Sequence, residues 1–532
     1  MASLCLSATL SALDLTIVTT ALPVIVGYFG SEAGYTWIGS AYILAYTAIT
    51  PVWGSVADIW GRKPIILIAL SIFLAGSLIC STVTQLDAFL VGRAVQGLGA
   101  AGMGTMVNVI ISDMFSLRDR GLYLAVVSIV YAVGSAIGPI MGGVFTRNLS
   151  WRWCFWINLP IGALVFLVLF FFLRLPSPNT PVRTGLKAID WSGSLLIVGG
   201  ILMILLALTF GGVTYPWPSS TVICLLVFGT VAVPGFVLNE WRIATNPVIP
   251  LRLFSTVSKA AAYGVFFCNS YVFLGTAYYL PLYAQSVLGA DTLTSGVYLL
   301  PLIVSCSLTA AAAGVFMQKT GKYRPIMHVG AVAMSLGIGL CIDLGFEKNL
   351  VKLFAFEILA GVGSGMNIEA PMIAAQAAAS VRDTAAVLAS MGFIRSISSA
   401  ISTVVGGVVF QDQMNRENPN LVKQLGRELA SKFNGGQASA NVDLINTLPE
   451  TQQIIVRRAY YQSLKRMWIM YVAFSGMAII FNLFIQAHHL SSEHEAAVLG
   501  VNREEPVPVA VNHADATPEG ARQRASRAVV SN

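Results

Sequence analysis

Long apolar stretches alternate with short polar breaks from the first residues of the chain almost to its last. Each stretch holds about twenty residues, enough for a helix to cross a hydrocarbon core of roughly 30 Å. The pattern predicts fourteen spans: 4–28, 36–57, 64–84, 88–111, 122–145, 154–174 and 188–210, then 220–238, 261–283, 294–317, 326–345, 351–374, 385–410 and 467–487. The first run reaches Phe29 and is interrupted by Asp14, so it reads as a retained span and not as the short apolar core of a cleaved signal. Two segments break the rhythm. In 411–465, Leu421, Leu425, Leu429 and Phe433 recur every four residues and predict an amphipathic surface helix in a long loop. Residues 491–532 are polar and rich in Ala, Pro and charge, the composition of a disordered tail.

Composition agrees with a bilayer as solvent. Hydrophobic residues make up 56% of the 532 positions and charged ones 11%, against about 25% charge in an average soluble domain. The net charge of +7 does not point to nucleic acid, because the basic residues sit in the breaks and form no basic stripe with interleaved aromatics. They mark topology instead. With the N-terminus inside, the short inner loops hold fourteen Lys or Arg (62, 63, 118, 120, 174, 183, 187, 242, 252, 259, 319, 322, 324 and 382) and the short outer loops four (147, 152, 348 and 352). This bias places both termini in the cytoplasm. The seven cysteines are scattered with no metal-ligand spacing, and read as small packing residues. No metal or cofactor site is expected.

The chain repeats itself. Ser135–Val144 in span 5 matches Ser399–Val408 in span 13 at a shift of 264, and the same shift sets Gly97 and Gly99 on Gly361 and Gly363. A shift of 260 sets Gly54 and Gly61, after span 2, on Gly314 and Gly321, after span 10. Spans 1–6 therefore recur as spans 9–14 in the same orientation, with spans 7 and 8 inserted. Parallel six-helix halves describe an all-α carrier in which the substrate sits between the halves near the midplane. The expected division is 1–174 for the first half, 188–238 for the inserted pair, 261–487 for the second half with its outer loop 411–465, and 491–532 for a cytoplasmic tail.

Few charges lie inside the spans. Asp14 falls near mid-membrane in span 1, where a carboxyl can exchange a proton or serve as a permanently paired structural group. Arg93 in span 4 must face a cavity or a carboxylate, because a guanidinium inside the membrane costs roughly 2.5–3.5 kcal/mol. Glu357 falls on Arg93 under the 264 shift but near the outer end, and reads equally as a solvated rim position or a functional one. Glu369 and Arg395 lie deeper and could pair with each other. After span 2, Gly54, Asp58, Gly61, Arg62 and Lys63 combine a tight turn, an acid able to face a helix N-terminus, and basic anchors. The second copy has Gln318 where Asp58 stands. In span 5, Gly134, Gly138 and Gly142 make a bare stripe, followed by Gly143, and Pro139 favours a kink. Gly97-Leu98-Gly99-Ala100-Ala101-Gly102 matches a dinucleotide fingerprint only formally, since no strand precedes it. The Trp151–Gly162 string reads as an interfacial aromatic belt. Tyr271, Tyr278, Tyr279 and Tyr283 could line a cavity, but packing explains them as well.

These strings carry a resemblance. Gly54 to Pro64 resembles the GxLaDrxGrkP signature of the major facilitators, Arg93-Ala94-Val95-Gln96-Gly97 their RxxQG motif, and Gly134 to Gly143 the antiporter motif of drug exporters. Leu13-Asp14-Leu15-Thr16-Ile17-Val18-Thr19-Thr20-Ala21-Leu22-Pro23 resembles the LDxTIVxxALP motif of the 14-span drug:proton antiporters. The resemblance covers roughly residues 10–410 and is closest to fungal-type multidrug and toxin exporters. It implies a monomeric proton-coupled exporter of amphipathic organic compounds in the plasma or vacuolar membrane. In that reading Asp14, Arg93 and Gln96 act in coupling, and the loop after span 2 forms a conformational latch. Family members usually carry a longer polar N-terminus, which suggests a shortened gene model here. A vacuolar importer of basic amino acids or a siderophore carrier of the same fold is the alternative within transporters. A membrane-embedded enzyme is the alternative outside them, although there is no HExxH, nucleophile elbow or Walker loop, and all five histidines lie at or beyond span ends.

Overall fold

The computed structural model describes residues 1–29, 34–176, 178, 180–212, 215–435, 437–438, 441–493 and 499–500. Fourteen long helices dominate it. They are α1 (Ala2–Phe29), α2 (Gly34–Trp60), α3 (Arg62–Thr82), α4 (Leu86–Met114), α5 (Leu117–Asn148), α6 (Asn158–Phe172) and α7 (Trp191–Phe210). The others are α8 (Ser220–Arg242), α9 (Val257–Ser286), α10 (Leu300–Thr320), α11 (Arg324–Cys341), α12 (Leu350–Ala377), α13 (Thr384–Leu425) and α14 (Glu450–Leu483). Thirteen spans among the described residues are long and apolar enough to cross a membrane, with α6 counted together with the short turn Trp153–Trp156 before it. The remaining long helix, α2, is diluted by Thr47, Thr50, Ser55 and Asp58, all buried inside the protein.

The internal repeat reappears as packing. Helix α1 packs on α5, α2 on α4 and α3 on α4; in the second half α9 packs on α13, α10 on α12 and α11 on α12. The matched glycines make matched contacts. A Cβ on Gly97 would strike the Tyr42 carbonyl of α2, and one on Gly361 the Leu302 carbonyl of α10. One on Gly99 would strike Phe73 of α3, and one on Gly363 would strike Met334 of α11. Gly61 and Gly321 end α2 and α10 at φ of 92° and 68°, a region that L side chains rarely enter.

With an even number of crossings, Met1 and the end of α14 lie on one face, the terminal face. Here the inserted pair is tied together by Asp190 Oδ2, which accepts from Asn239 Nδ2 at 2.8 Å, and Glu240 Oε1 ties α8 to the following linker by accepting from the Val248 amide at 3.0 Å. Helix α7 lies against α2.

The long loop is shorter than predicted. Helix α13 runs uninterrupted to Leu425 and α14 already begins at Glu450, so helix replaces much of 411–465. Asp412 and Arg416 pair at 2.9 Å on the solvated side of this extension. Phe410, Met414 and Leu421 form its buried stripe, with Phe410 against Tyr460 of α14. Leu421 and Phe433 are indeed buried, but on opposite sides of the break at Gly426. Of the predicted tail, 494–498 and 501–532 lie outside the described residues. Leu490 donates its amide to Gly321 O, and the Ser491 carbonyl accepts from the Arg118 amide.

Candidate functional site

Asp14 is fully buried and Arg93 is 1% exposed. Asp14 is held by two helices besides its own, α4 and α6. Its Oδ2 accepts from Arg93 Nη1 at 2.9 Å, and its Oδ1 from Gln96 Nε2 at 2.9 Å and Asn158 Nδ2 at 2.7 Å. Ser77 Oγ on α3 accepts from Gln96 Nε2 at 2.8 Å and from Asn158 Nδ2 at 3.2 Å. Arg93 also donates to Gln96 Oε1 at 2.8 Å and to the Ile38 carbonyl at 3.2 Å, and its guanidinium lies 4.6 Å from the centre of the Tyr42 ring. Arg93 therefore faces a carboxylate. One turn of α4 supplies both Arg93 and Gln96, because residues three apart share a helix face.

Asn158 and Ser77 escaped the sequence reading. Asn158 sits in the Trp151–Gly162 string, whose pattern predicts an interfacial belt, whereas Trp151, Cys154, Phe155 and Asn158 are all buried. The rings pack on Phe29 and Phe89, and this directs the one amide in the string inward. An amide among aromatics was the available signal.

The glycine stripe of α5 lies against α1 on either side of Asp14. A Cβ on Gly134 would come 3.1 Å from the Thr9 carbonyl, one on Gly138 would collide with Thr16, and one on Gly142 with Ile17 and Thr20. Pro139 O accepts from Thr20 Oγ1 at 3.1 Å. Gly143 stands apart, with open space where its Cβ would be.

At the terminal face, Arg62 is buried between Asp58 Oδ1 at 2.6 Å and Asp113 Oδ2 at 2.7 Å. Lys63 donates to the Phe170 carbonyl at 2.7 Å. Gly54 abuts Ala385 and Ala389 of α13, and Asp58 lines a small polar pocket with Arg382, Asp383 and Ala386 at the N-terminus of that helix. Arg252, from the linker after the inserted pair, grips Asp383 at 2.8 and 2.6 Å. The second copy meets α5 in the same way. Gln318 Nε2 donates to Asp119 Oδ1 at 2.9 Å, and Arg118 donates to the Gln318 and Lys319 carbonyls at 2.6 and 2.7 Å. The acid missing from that copy stands on the opposing helix.

Arg120 Nη1 donates to Gln376 Oε1 at 3.0 Å, and Ser128 Oγ to Glu369 Oε1 at 2.7 Å. Among the described residues, the hydrogen bonds joining the two halves lie between the terminal face and Ser128–Glu369. The halves are joined there, and among the described residues no side-chain hydrogen bond joins them toward the opposite face.

Several expectations are decided by the packing. Glu369 and Arg395 form no ion pair: Glu369 is bonded by Ser128 and Arg395 is exposed, so Arg395 is no buried charge. Glu357 is no rim residue. It is 1% exposed, and its Oε2 has no hydrogen-bond partner among the described residues. Tyr271, Tyr279 and Tyr283 are buried within the second half, Tyr271 stacked on Phe474 at 4.0 Å, while Tyr278 is exposed. The cysteines carry no disulfide, and Cys224 is exposed where packing was expected.

A bundle of membrane-length helices whose close contacts recur between its first six and its last six, with a carboxylate buried against an arginine, is the architecture of a membrane transporter. The family profile described as Major Facilitator Superfamily matches residues 4–403, and the chain belongs to that superfamily. It is 46% identical over 501 residues to a protein named efflux pump dotC of Dothistroma septosporum, covering 94% of this chain and 86% of that one. It is 45% identical over 507 residues to an MFS-type transporter, ppz2, of Metarhizium majus, covering 95% and 87%. The structure of the human organic anion transporter MFSD10 superposes with a TM-score of 0.55 at 15% identity, covering 89% of this chain and 98% of that one, a likeness of fold.

Proposed function

We propose that this transporter exports amphipathic organic compounds in exchange for protons, by alternating access of the space between its halves. The observation that carries the reading is the buried Asp14–Arg93 pair. Asp14 is an anion that a proton can neutralise, and the arginine holding it contacts a second element. Protonation would release Arg93 from Asp14 and leave it on Gln96, Ile38 O and the Tyr42 ring. Tyr42 stacks on Tyr46 at 6.3 Å, and both belong to α2, whose far end abuts α13 at Gly54. The charge state of Asp14 would thus bear on a helix that joins the halves, which is the differential interaction a coupled carrier needs.

The bias of basic residues supports a cytoplasmic terminal face, and the closure there corresponds to an outward-open state. The names of the relatives support export, and we place the protein in the plasma membrane. The loop after α2 and its copy after α10 act as paired latches on α13 and α5. The decisive measurement is substrate flux in proteoliposomes driven by a pH gradient, comparing wild type with Asp14→Asn. Loss of gradient dependence with retained substrate binding is the expected result, and unchanged gradient dependence would overturn the coupling role.

A further inference from the structure

Arg395 lies twelve residues into α13, counting from Thr384, or about 16 Å along the helix from its terminal end and so near the middle of a core of roughly 30 Å. It is exposed, and its guanidinium, a fork of five N–H donors, has no hydrogen-bond or ion-pair partner among the described residues. It does not face lipid. Tyr46 of α2 and Tyr131 of α5 in one half, and Cys306 of α10 and Glu369 of α12 in the other, lie within electrostatic reach of it. Groups on four helices from both halves can surround it only if it projects into the space between them. One turn nearer the terminal face, Gly392 meets Thr50 of α2 at a Cβ distance of 3.5 Å, where the halves begin to close. Glu369 forms no ion pair with it, being buried and bonded by Ser128. Asp14 is taken by Arg93. An unpaired guanidinium at this depth that faces the space between the halves and not lipid is the placement charged residues take on substrate pathways, and it points to a ligand that completes it. The fork fits a carboxylate in two parallel hydrogen bonds, and low-dielectric walls strengthen the attraction.

We propose that Arg395 is the anion-recognition point of the substrate cavity and that the substrates are amphipathic organic anions, apolar ring systems bearing a carboxylate or an acidic phenol. The apolar body rests on the cavity walls and the acid takes the guanidinium, with Tyr46 and Tyr131 within electrostatic reach. This rests on the cavity being the transport path, but it does not depend on proton coupling.

The test uses full-length protein in lipid nanodiscs and three probes on one skeleton: pyrenebutyrate, its primary amide, and the matching pyrenyl quaternary ammonium, with binding read by fluorescence anisotropy. Wild type should bind the carboxylate at least tenfold more tightly than the amide and should bind the cation most weakly. R395Q should bring the carboxylate to the affinity of the amide, and R395K, which keeps the charge but loses the fork, should fall between. Equal or tighter binding of the amide or the cation by wild type, or binding of none, would overturn the proposal. So would an equal loss for all three probes in R395Q. The wild-type series decides even where a variant fails to fold. No gradient is applied, so the expected order of binding combined with flux indifferent to pH would refute the exchange reading and leave this one standing.

Discussion

Asp14→Asn changes no heavy-atom position, only the charge and the direction of one hydrogen bond. In the wild type Oδ1 accepts from Gln96 and Asn158 while Oδ2 accepts from Arg93. An Asn that keeps its oxygen toward the two amides turns its NH2 against Arg93 Nη1, donor against donor. Arg93 retains Gln96 Oε1, the Ile38 carbonyl and the Tyr42 ring, which offset part of the loss. Removing one partner of a buried pair costs roughly 3–5 kcal/mol, and those contacts argue for the lower end, about 3 kcal/mol. The variant should therefore be less stable but still fold in the membrane. Coupling gives a separate magnitude. One pH unit is worth 1.36 kcal/mol per proton, so a carrier exchanging one proton per cycle can accumulate substrate about tenfold per unit. The assay is steady-state accumulation in proteoliposomes across one pH unit, with the membrane potential clamped at zero and values normalised to folded protein. Wild type should approach tenfold and Asp14→Asn should fall to equilibration. Accumulation of about tenfold in the variant would refute the coupling role. A wild-type value near one hundredfold would imply a second exchanging group, and the buried Glu357 would be the first to test.

Arg93→Ala should abolish gradient-driven export while the protein still reaches the membrane, and wild-type rates in that variant would leave Arg93 a structural role only. Gly138→Leu must push α1 off α5, at a cost of about 1–3 kcal/mol from overpacking; it should cut transport and lower the melting temperature, and neither effect would follow if the stripe were spare space. Gln318→Glu sets a carboxylate against Asp119, at a cost of roughly 1–3 kcal/mol, and should open the terminal face, read as greater labelling of a cysteine placed at Lys319. Epitope tags after Lys63 and after Arg324 should both be reached from the cytoplasm, and tags on opposite sides would break the orientation argued from basic residues.

What the sequence determined by itself is what periodicity and repetition carry. Span-length apolar runs set the number of helices, because in a bilayer each backbone polar group must be satisfied within its own helix. The matches at shifts of 264 and 260 gave the two halves, since equal spacing of glycines demands equal close approaches. Asp14, Arg93 and Gln96 were singled out because charge inside a span is costly. Tertiary structure alone decided partners. That Arg93 meets Asp14 across 79 positions of chain, that Asn158 turns inward from an aromatic string, and that Glu369 turns to Ser128 and leaves Arg395 open all depend on how helices rotate against one another. The same holds for Gln318, which lost its own acid and found Asp119 on the opposing half. A hydrophobic pattern fixes which residues lie in the membrane, but rotation of one helix by a single residue, about 100°, changes every side-chain partner, and only packing fixes that angle.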